Sequence, residues 1–477
     1  MSNLTSSSAG RRIAALLDEN SFVEIGEKVT ARNTDFNLET KKAPGDGVIT
    51  GYGVIDDVLV YVYSQDASVL AGSIGEMHAR KIVNLYKLAM KTGAPVIGLI
   101  DSAGLRLEEA TDALYALGRI YKNQAEASGI IPQITAVFGD CGGGLALIPG
   151  LTDFTFMEGK KAKLFVNSPN AVKDNYEEKC DTASADFQSS ECGTVDFVAS
   201  EDEILSSIRR LISFLPSNNE DDALIDCTDD LNRASSVIAS CTGDTAAAFA
   251  EIADNNDFIE TKAEYGKSMV TGFIRLDGQT VGCIANRTEI TGEDGKPAEK
   301  FDPVLTVSGL KKAAKFVRFC DAFNIPILTL TNTKGYCTCK CAEKNIAAAA
   351  SAFVYALADS SVPKVNVYVK EALGTAAIVM NSKAVSADYT YAWPDAKIGS
   401  MDAKNAASIM YDGQAQSVID EKAKEYDELQ TSAKSAAARG YVDTIIAPED
   451  TRKYVIGAFE MLYRKRELKP EKKHGTV

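Results

Sequence analysis

The feature that most constrains this 477-residue chain is that its two halves follow one plan. Pro95 and Pro326, Gly104 and Gly335, Pro132 and Pro363, and Gly143 and Gly374 all stand 231 residues apart. Upstream, Phe22-Val-Glu24 meets Phe258-Ile-Glu260, and Thr50-Gly51-Tyr52 meets Thr271-Gly272-Phe273. Each of the latter opens an apolar strand pair, Val58 to Tyr63 in one half and Thr280 to Ala285 in the other. Downstream, Gly193-Thr-Val-Asp196 echoes Gly440-Tyr-Val-Asp443 at a wider spacing, as an insertion in the second half would cause. The period is far longer than that of a solenoid, so the repeating unit is a whole domain.

Within each copy, a helical pattern (His78 to Lys91; Lys311 to Phe323) precedes a short apolar run bounded by breakers (Pro95 to Ile100; Pro326 to Thr331). A glycine-containing loop, a second helix, a second buried strand and a glycine cluster follow. Strands alternating with helices predict an α/β fold with right-handed crossovers on a largely parallel sheet. The polar stretch Leu215-Pro-Ser-Asn-Asn-Glu-Asp-Asp222 is the natural break, giving domains 1–222 and 223–477.

The net charge of −15 removes phosphate-backbone attraction as a source of general affinity, so no nucleic-acid partner is expected. The most apolar stretch, Ile346 to Ala358, is too short to span a bilayer. The start, Met1 to Ser8, is polar and runs into Arg11-Arg12, unlike a secretory signal, which predicts a cytoplasmic protein. Ten cysteines scattered through a chain this long read as reduced thiols. Of the two histidines, His474 sits in a charged tail, leaving His78 as the one candidate within a folded site. Its helical surroundings suit a packed residue better than a base, so a nucleophilic triad has little support. No metal is expected, because Cys337-Thr-Cys-Lys-Cys341 lacks zinc spacing and a second pair.

The chemistry-bearing candidates are the two glycine corners, Gly139-Asp-Cys-Gly-Gly-Gly-Leu145 and Ala372-Leu-Gly-Thr-Ala-Ala377. Each follows a predicted strand and precedes helix-forming residues, where free N–H groups can hold a developing negative oxygen. A nucleotide loop is excluded, since Leu145-Ala146 stands where Lys-Ser/Thr is required. One such cluster could serve packing alone; two at matching places in a duplication favour function. Glu108-Glu109 could offer a base or simply complement a helix start. Lys91 in Ala89-Met-Lys91 looks superficially like a biotin attachment point but reads as an exposed helix lysine.

These segments, with Leu17 to Gly26, Gly45 to Gly53, Tyr63-Ser-Gln-Asp66, Leu88 to Gly98, Lys315 to Pro326 and Tyr391-Ala-Trp-Pro394, resemble the carboxyltransferase subunits of biotin-dependent acyl-CoA carboxylases. The propionyl-CoA carboxylase β subunit is the type; α subunits of biotin-dependent acyl-CoA decarboxylases are similar. The resemblance covers nearly the whole chain and implies two tandem crotonase-like domains. It implies acyl-CoA binding by the first domain, and biotin binding by the second domain of a neighbouring subunit. The assembly implied is a homo-oligomer, a dimer at least, with hexamers common in the family. The biotin would arrive on a separate carboxyl carrier protein, and a biotin carboxylase or membrane decarboxylase subunits would be further partners. Such a membrane partner would leave this chain peripheral to the bilayer.

By the same resemblance Gly143 and Gly144 supply the first pair of oxyanion donors, and Thr375 and Ala376 the second. Ser102, Gly104, Arg106, Gly142, Gly335, Tyr336, Gly374 and Ile378 are the expected substrate-binding positions. A cofactor that serves as its own base would explain the scarcity of acid/base side chains. There are departures. Leu105 interrupts the family's Ser-Gly-Gly-Ala-Arg, here Ser102 to Arg106. Thr333 to Cys341 replaces a Pro-Gly-Phe-x-Pro-Gly loop. Thr375 replaces a glycine, and Ile378 stands where propionyl-type members carry Asp. Carboxyl transfer is thus the first reading and sodium-pump-coupled decarboxylation of methylmalonyl- or glutaconyl-CoA the second. A biotin-free crotonase-like enzyme and a non-catalytic assembly subunit are the alternatives from other classes.

Overall fold

A computed structural model describes residues 6–32, 43–292 and 294–470. His474 and residues 1–5 of the polar start lie outside them. The chain divides into two compact units, Met1–Ala223 and Leu224–Val477.

Unit 1 is built on a sheet in the order β1 (Val23–Glu24), β2 (Val48–Ile55), β3 (Val58–Gln65), β4 (Val96–Ser102), β5 (Gln133–Gly142), β6 (Phe154–Glu158) and β8 (Phe197–Ala199), while β7 (Lys163–Phe165) pairs with the end of β5. β2 and β3 form an antiparallel hairpin; from β3 onward all pairs are parallel. β4 and β5 are almost continuously buried, as parallel strands covered on both faces must be. The helices Glu76–Thr92 and Ala110–Ala127 pack on each other and contribute Ile82, Leu85, Leu117 and Ile120 to that core. Gly93, in the left-handed conformation, ends the first of them.

Unit 2 repeats the order with β9 (Phe258–Thr261), β10 (Met269–Leu276), β11 (Gln279–Asn286), β15 (Ile327–Thr333), β17 (Lys364–Leu373), β18 (Tyr389–Ala392) and β20 (Thr444–Ile445), and β19 (Lys397–Gly399) extends β17. A ribbon of β12 (Glu289–Thr291) and β13 (Pro297–Lys300) and a parallel pair of β14 (Val304–Leu305) and β16 (Gly335–Tyr336) stand outside that sheet. The repeat extends to irregularities. β4–β5 shifts register between Ile100 and Ser102, and β15–β17 between Thr331 and Thr333. The Ile74–Leu105 bridge of unit 1 is matched by Leu305–Tyr336 in unit 2. Asp196 and Asp443 play one part, each exchanging backbone and side-chain bonds with a strand threonine, Thr155 and Thr390.

One expectation is corrected. Gly139 to Gly142 belong to the strand rather than following it, and Asp140, Cys141 and Gly142 pair with β7. The turn therefore starts only at Gly143. The alanine-rich stretch forms a 14-residue helix, Ile346–Asp359, and no helix among the described residues is long and apolar enough to cross a membrane. Lys91 is an exposed residue of the helix Glu76–Thr92.

His78 is wholly buried in that helix. Its Nδ1 lies 2.9 Å from the Asp46 carbonyl, so it carries the proton, and Nε2 accepts from Gln65 Nε2 at 3.1 Å. Burial, reinforced by the Arg106 charge, pushes the imidazole down from 6.5 to about 3. Below pH 6.5 the unfolded chain binds a proton that the folded one refuses. Unit 1 should therefore lose roughly 1.4 kcal/mol per pH unit from there towards pH 3. Urea midpoints at pH 7 and pH 5 should fall further for the wild type than for His78→Gln; equal falls would disprove the assignment.

Candidate active site

The first glycine corner divides into two kinds of position. A Cβ on Gly142 would strike the Phe165 ring at 2.6 Å, and one on Gly144 would meet Leu117 Cδ2 and Tyr121 Oη at 2.9 Å. Those two are glycine because other groups pack close. Gly143 differs: a Cβ there would meet nothing within 4 Å, but its φ of +62° is one that side-chain-bearing residues adopt only under strain. The backbone reverses there from β5 into a helical turn, Gly143–Ala146, whose first N–H groups have no partner within the turn. Gly144 is exposed and Gly143 half-buried.

Behind this corner lies the loop after β4. Gly104, at φ +104°, donates its N–H to Ser102 Oγ at 3.2 Å, and its α-carbon faces the Gly142 carbonyl, 3.6 Å from where a Cβ would stand. Ser102 and Arg106 are each 1% exposed, so their side chains are held inside unit 1. Arg106 Nη1 donates to Asp46 Oδ1 (2.5 Å) and Glu109 Oε1 (2.8 Å). Its Nη2 and Nε donate to Ser73 O (2.6 Å) and Oγ (3.2 Å). The second oxygens of both carboxylates reach the start of helix Glu76–Thr92: Glu109 Oε2 takes the Glu76 N–H (2.6 Å) and Asp46 Oδ2 the His78 N–H (2.7 Å). Burial raises the Asp46 carboxyl, against the pull of Arg106. Glu109 is consequently committed to structure rather than free to act as a base.

One residue that motif reading passed over is Tyr121, whose hydroxyl donates to the Gly144 carbonyl. Burial holds its phenol above the ordinary value, so it stays a donor. Helical spacing was the available signal, since Leu117 and Tyr121, four apart, share the face that covers Gly144.

The second corner repeats the geometry. Gly374 has φ +64° and opens the helix Gly374–Val379 directly after β17. Gly335 donates to Thr333 Oγ1 at 3.4 Å as Gly104 does to Ser102. β16, which holds Gly335 and the half-buried Tyr336, packs against the helix Gly374–Val379. In front of that helix is a cavity of about 510 Å³, walled by Gly374, Thr375, Ile378, Ile398, Tyr368 and Tyr441, with Arg439 and Lys383 among its polar groups. Thr375 and Ile378 are exposed to it, whereas Ala376 is 1% exposed and is not part of its wall. Tyr368, Tyr441 and Arg439 carry no motif and were not legible in the sequence.

Comparison with known proteins bears on this arrangement. The family described as carboxyl transferase domain matches residues 6–477. Methylmalonyl-CoA decarboxylase subunit alpha of Veillonella parvula is 39% identical over 98% of this chain and 92% of its own. Propionyl-CoA carboxylase beta chain of Roseobacter denitrificans is 37% identical over 98% and 93%. Among solved structures, a transcarboxylase 12S hexamer with hydrolysed methylmalonyl-CoA bound superposes with a TM-score of 0.92 at 33% identity, covering 99% of this chain and 93% of that one. The two parallel-rich sheets are thus tandem crotonase-like domains. Two matched glycine corners on a duplicated α/β frame, with that similarity along the whole chain, place this protein in the carboxyl transferase family of biotin-dependent acyl-CoA enzymes.

Proposed function

We propose that the protein moves a carboxyl group between biotin, held on a separate carrier protein, and the α-carbon of an acyl-CoA. The observation that carries this reading is the pair of helix-start corners at Gly143 and Gly374. Both have positive φ, and each follows the long central strand of its sheet. The amides of Gly143 and Gly144 would hold the thioester oxygen as it becomes an enolate, and those of Thr375 and Ala376 the ureido oxygen. The second cavity suits biotin: its wall is largely apolar, with room for a bicyclic ring, and the N–H groups of a helix start stand at its edge. When bound, biotin supplies the carboxyl group and, after giving it up, the base.

This chain's part is to orient both partners and hold two developing charges. That fits the commitment of Glu109 and His78 to structure. The acyl-CoA corner of one subunit working with the biotin corner of another, in a dimer or larger homo-oligomer, belongs to the same proposal. So do a biotin carboxylase as partner and a cytoplasmic location. Decarboxylation alongside membrane subunits, favoured by the similarity to the Veillonella protein, uses the same two corners in the reverse direction.

The test is to incubate the purified protein with free biotin and a panel of carboxylated acyl-CoAs, following carboxylate loss by mass spectrometry. Biotin-dependent loss is expected. Loss without biotin would indicate a crotonase-like decarboxylase, and tight binding without loss a non-catalytic subunit. Tyr121→Phe should lower kcat by about 2- to 12-fold, the worth of one hydrogen bond, with KM unchanged. An unaltered kcat would remove Tyr121 from the positioning of Gly144.

A further inference from the structure

The cysteines of Cys337-Thr-Cys-Lys-Cys341 play no part in that chemistry, and the duplication shows what their place means. Cys337 stands 231 residues after Arg106. Arg106 N donates to Ile74 O and Cys337 N to Leu305 O, each at 2.9 Å, and Ile74 and Leu305 are themselves 231 apart. In unit 1 the side chain at this place is locked by buried carboxylates. In unit 2 it is a thiol whose Sγ lies 3.7 Å from Cys339 Sγ.

Cys337 is half-buried, while Cys339 and Cys341 are exposed. Cys339 Sγ also accepts the Ala342 N–H at 3.3 Å, capping the short turn Lys340–Glu343. Donation from Cys341, and then from the Ala342 N–H, pulls the Cys339 thiol down from 9.0 to about 7, into the range where a thiolate is available at neutral pH. Burial pushes the Cys141, Cys283 and Cys320 thiols up instead. Among the described residues no group of three or more His, Cys, Asp or Glu side chains is arranged to hold a metal ion.

We propose that Cys337 and Cys339 are a reversible dithiol–disulfide switch beside the second corner, oxidised by a hydroperoxide. Cys339 sulfur attacks the peroxide, the O–O bond breaks, and the alcohol or water leaves with a proton. Cys339 is then a sulfenic acid. Cys337 sulfur attacks it, the S–S bond forms, and the departing hydroxide leaves as water with the Cys337 proton. Two thiols are oxidised and one peroxide is reduced. One intervening residue keeps the two Cα atoms within about 7 Å even when extended, and closer when bent, near the span a disulfide bridges. Bridging withdraws the Cys339 sulfur from the Ala342 N–H and stiffens the chain leaving β16, which packs on the helix Gly374–Val379. That consequence for turnover rests on the carboxyl-transfer reading; the bridge itself does not.

The test uses the full chain, treated with hydrogen peroxide, alkylated and digested with trypsin. The peptide Gly335–Lys340 contains both sulfurs but not Cys341. It is expected to resist alkylation and to weigh two hydrogens less, with dithiothreitol restoring it. Turnover should be lost in proportion to the bridged fraction and recovered with the reductant, and Cys339→Ser turnover should resist peroxide. A peptide that still takes two alkyl groups, one that reaches sulfinic acid without bridging, or one joined to the Cys341 peptide would overturn the pairing. A bridge that leaves turnover intact would overturn the switch. Absence of turnover in the reduced wild type would count against carboxyl transfer, leaving the mass result to decide the bridge.

Discussion

Carboxyl transfer falls by about a hundredfold to a thousandfold when Gly143 is replaced by proline, the expected cost of one oxyanion donor. Proline has no N–H and holds φ near −65°, while Gly143 sits at +62°, so the donor is deleted and its neighbour Gly144 is re-aimed. The two causes can be separated. Gly143→Ala keeps the N–H, and its Cβ enters open space, so its penalty is backbone strain of about 1–2 kcal/mol. Alanine should therefore retain far more activity than proline. Both variants should still fold and bind acyl-CoA, with a melting point lowered only by the local backbone strain, because nothing packs on this position. Near-normal turnover in a folded Gly143→Pro protein would end the assignment of this corner to catalysis.

The second large effect is on stability. Arg106→Leu should destabilise unit 1 by about 3–5 kcal/mol, the usual cost of removing one partner from a buried ion pair. The mechanism is specific. Asp46 and Glu109 side chains are fully buried and share one guanidinium nitrogen, so losing it leaves two carboxylates without their counter-charge. Those carboxylates also cap helix Glu76–Thr92, whose N-cap, Gly75, has no side chain to do so. Gly75 is itself confined by this network, since a Cβ there would lie 2.4 Å from Arg106 Nη1. Arg106→Lys should rescue little, because an ammonium cannot reach Asp46, Glu109 and both Ser73 oxygens in one plane. Urea unfolding followed at unit 1 is the measurement. A shift in the midpoint worth under 1 kcal/mol would show the network to be dispensable.

Much of this was legible in the chain. The 231-residue spacing foretold two sheets of one strand order, and the breakers around Pro95 and Pro326 located strands β4 and β15 to within a residue or two. The corners were found because glycine at a strand-to-helix turn is a backbone requirement, and a backbone requirement leaves its mark locally. The direction in which a side chain points leaves no such mark. Arg106 belongs to a recognisable motif, yet its partners Asp46 and Ser73 arrive from distant loops and draw the guanidinium inward. Ala376 is buried and Thr375 exposed for a similar reason, as the helix Gly374–Val379 turns its Ala376, Ala377 and Val379 side inward.

The sequence by itself determined the duplication, the family and the two glycine turns, since each depends on spacing along the chain or on a φ that few residues adopt. Only the tertiary structure decided which polar groups were free. It buried Arg106, His78 and Glu109 as scaffold, hung Tyr121 over Gly144, and set Cys339 against Cys337 where the first copy holds an ion pair. Burial and partnership arise from contacts between segments far apart in the chain, and no local pattern of residues encodes which of them will meet.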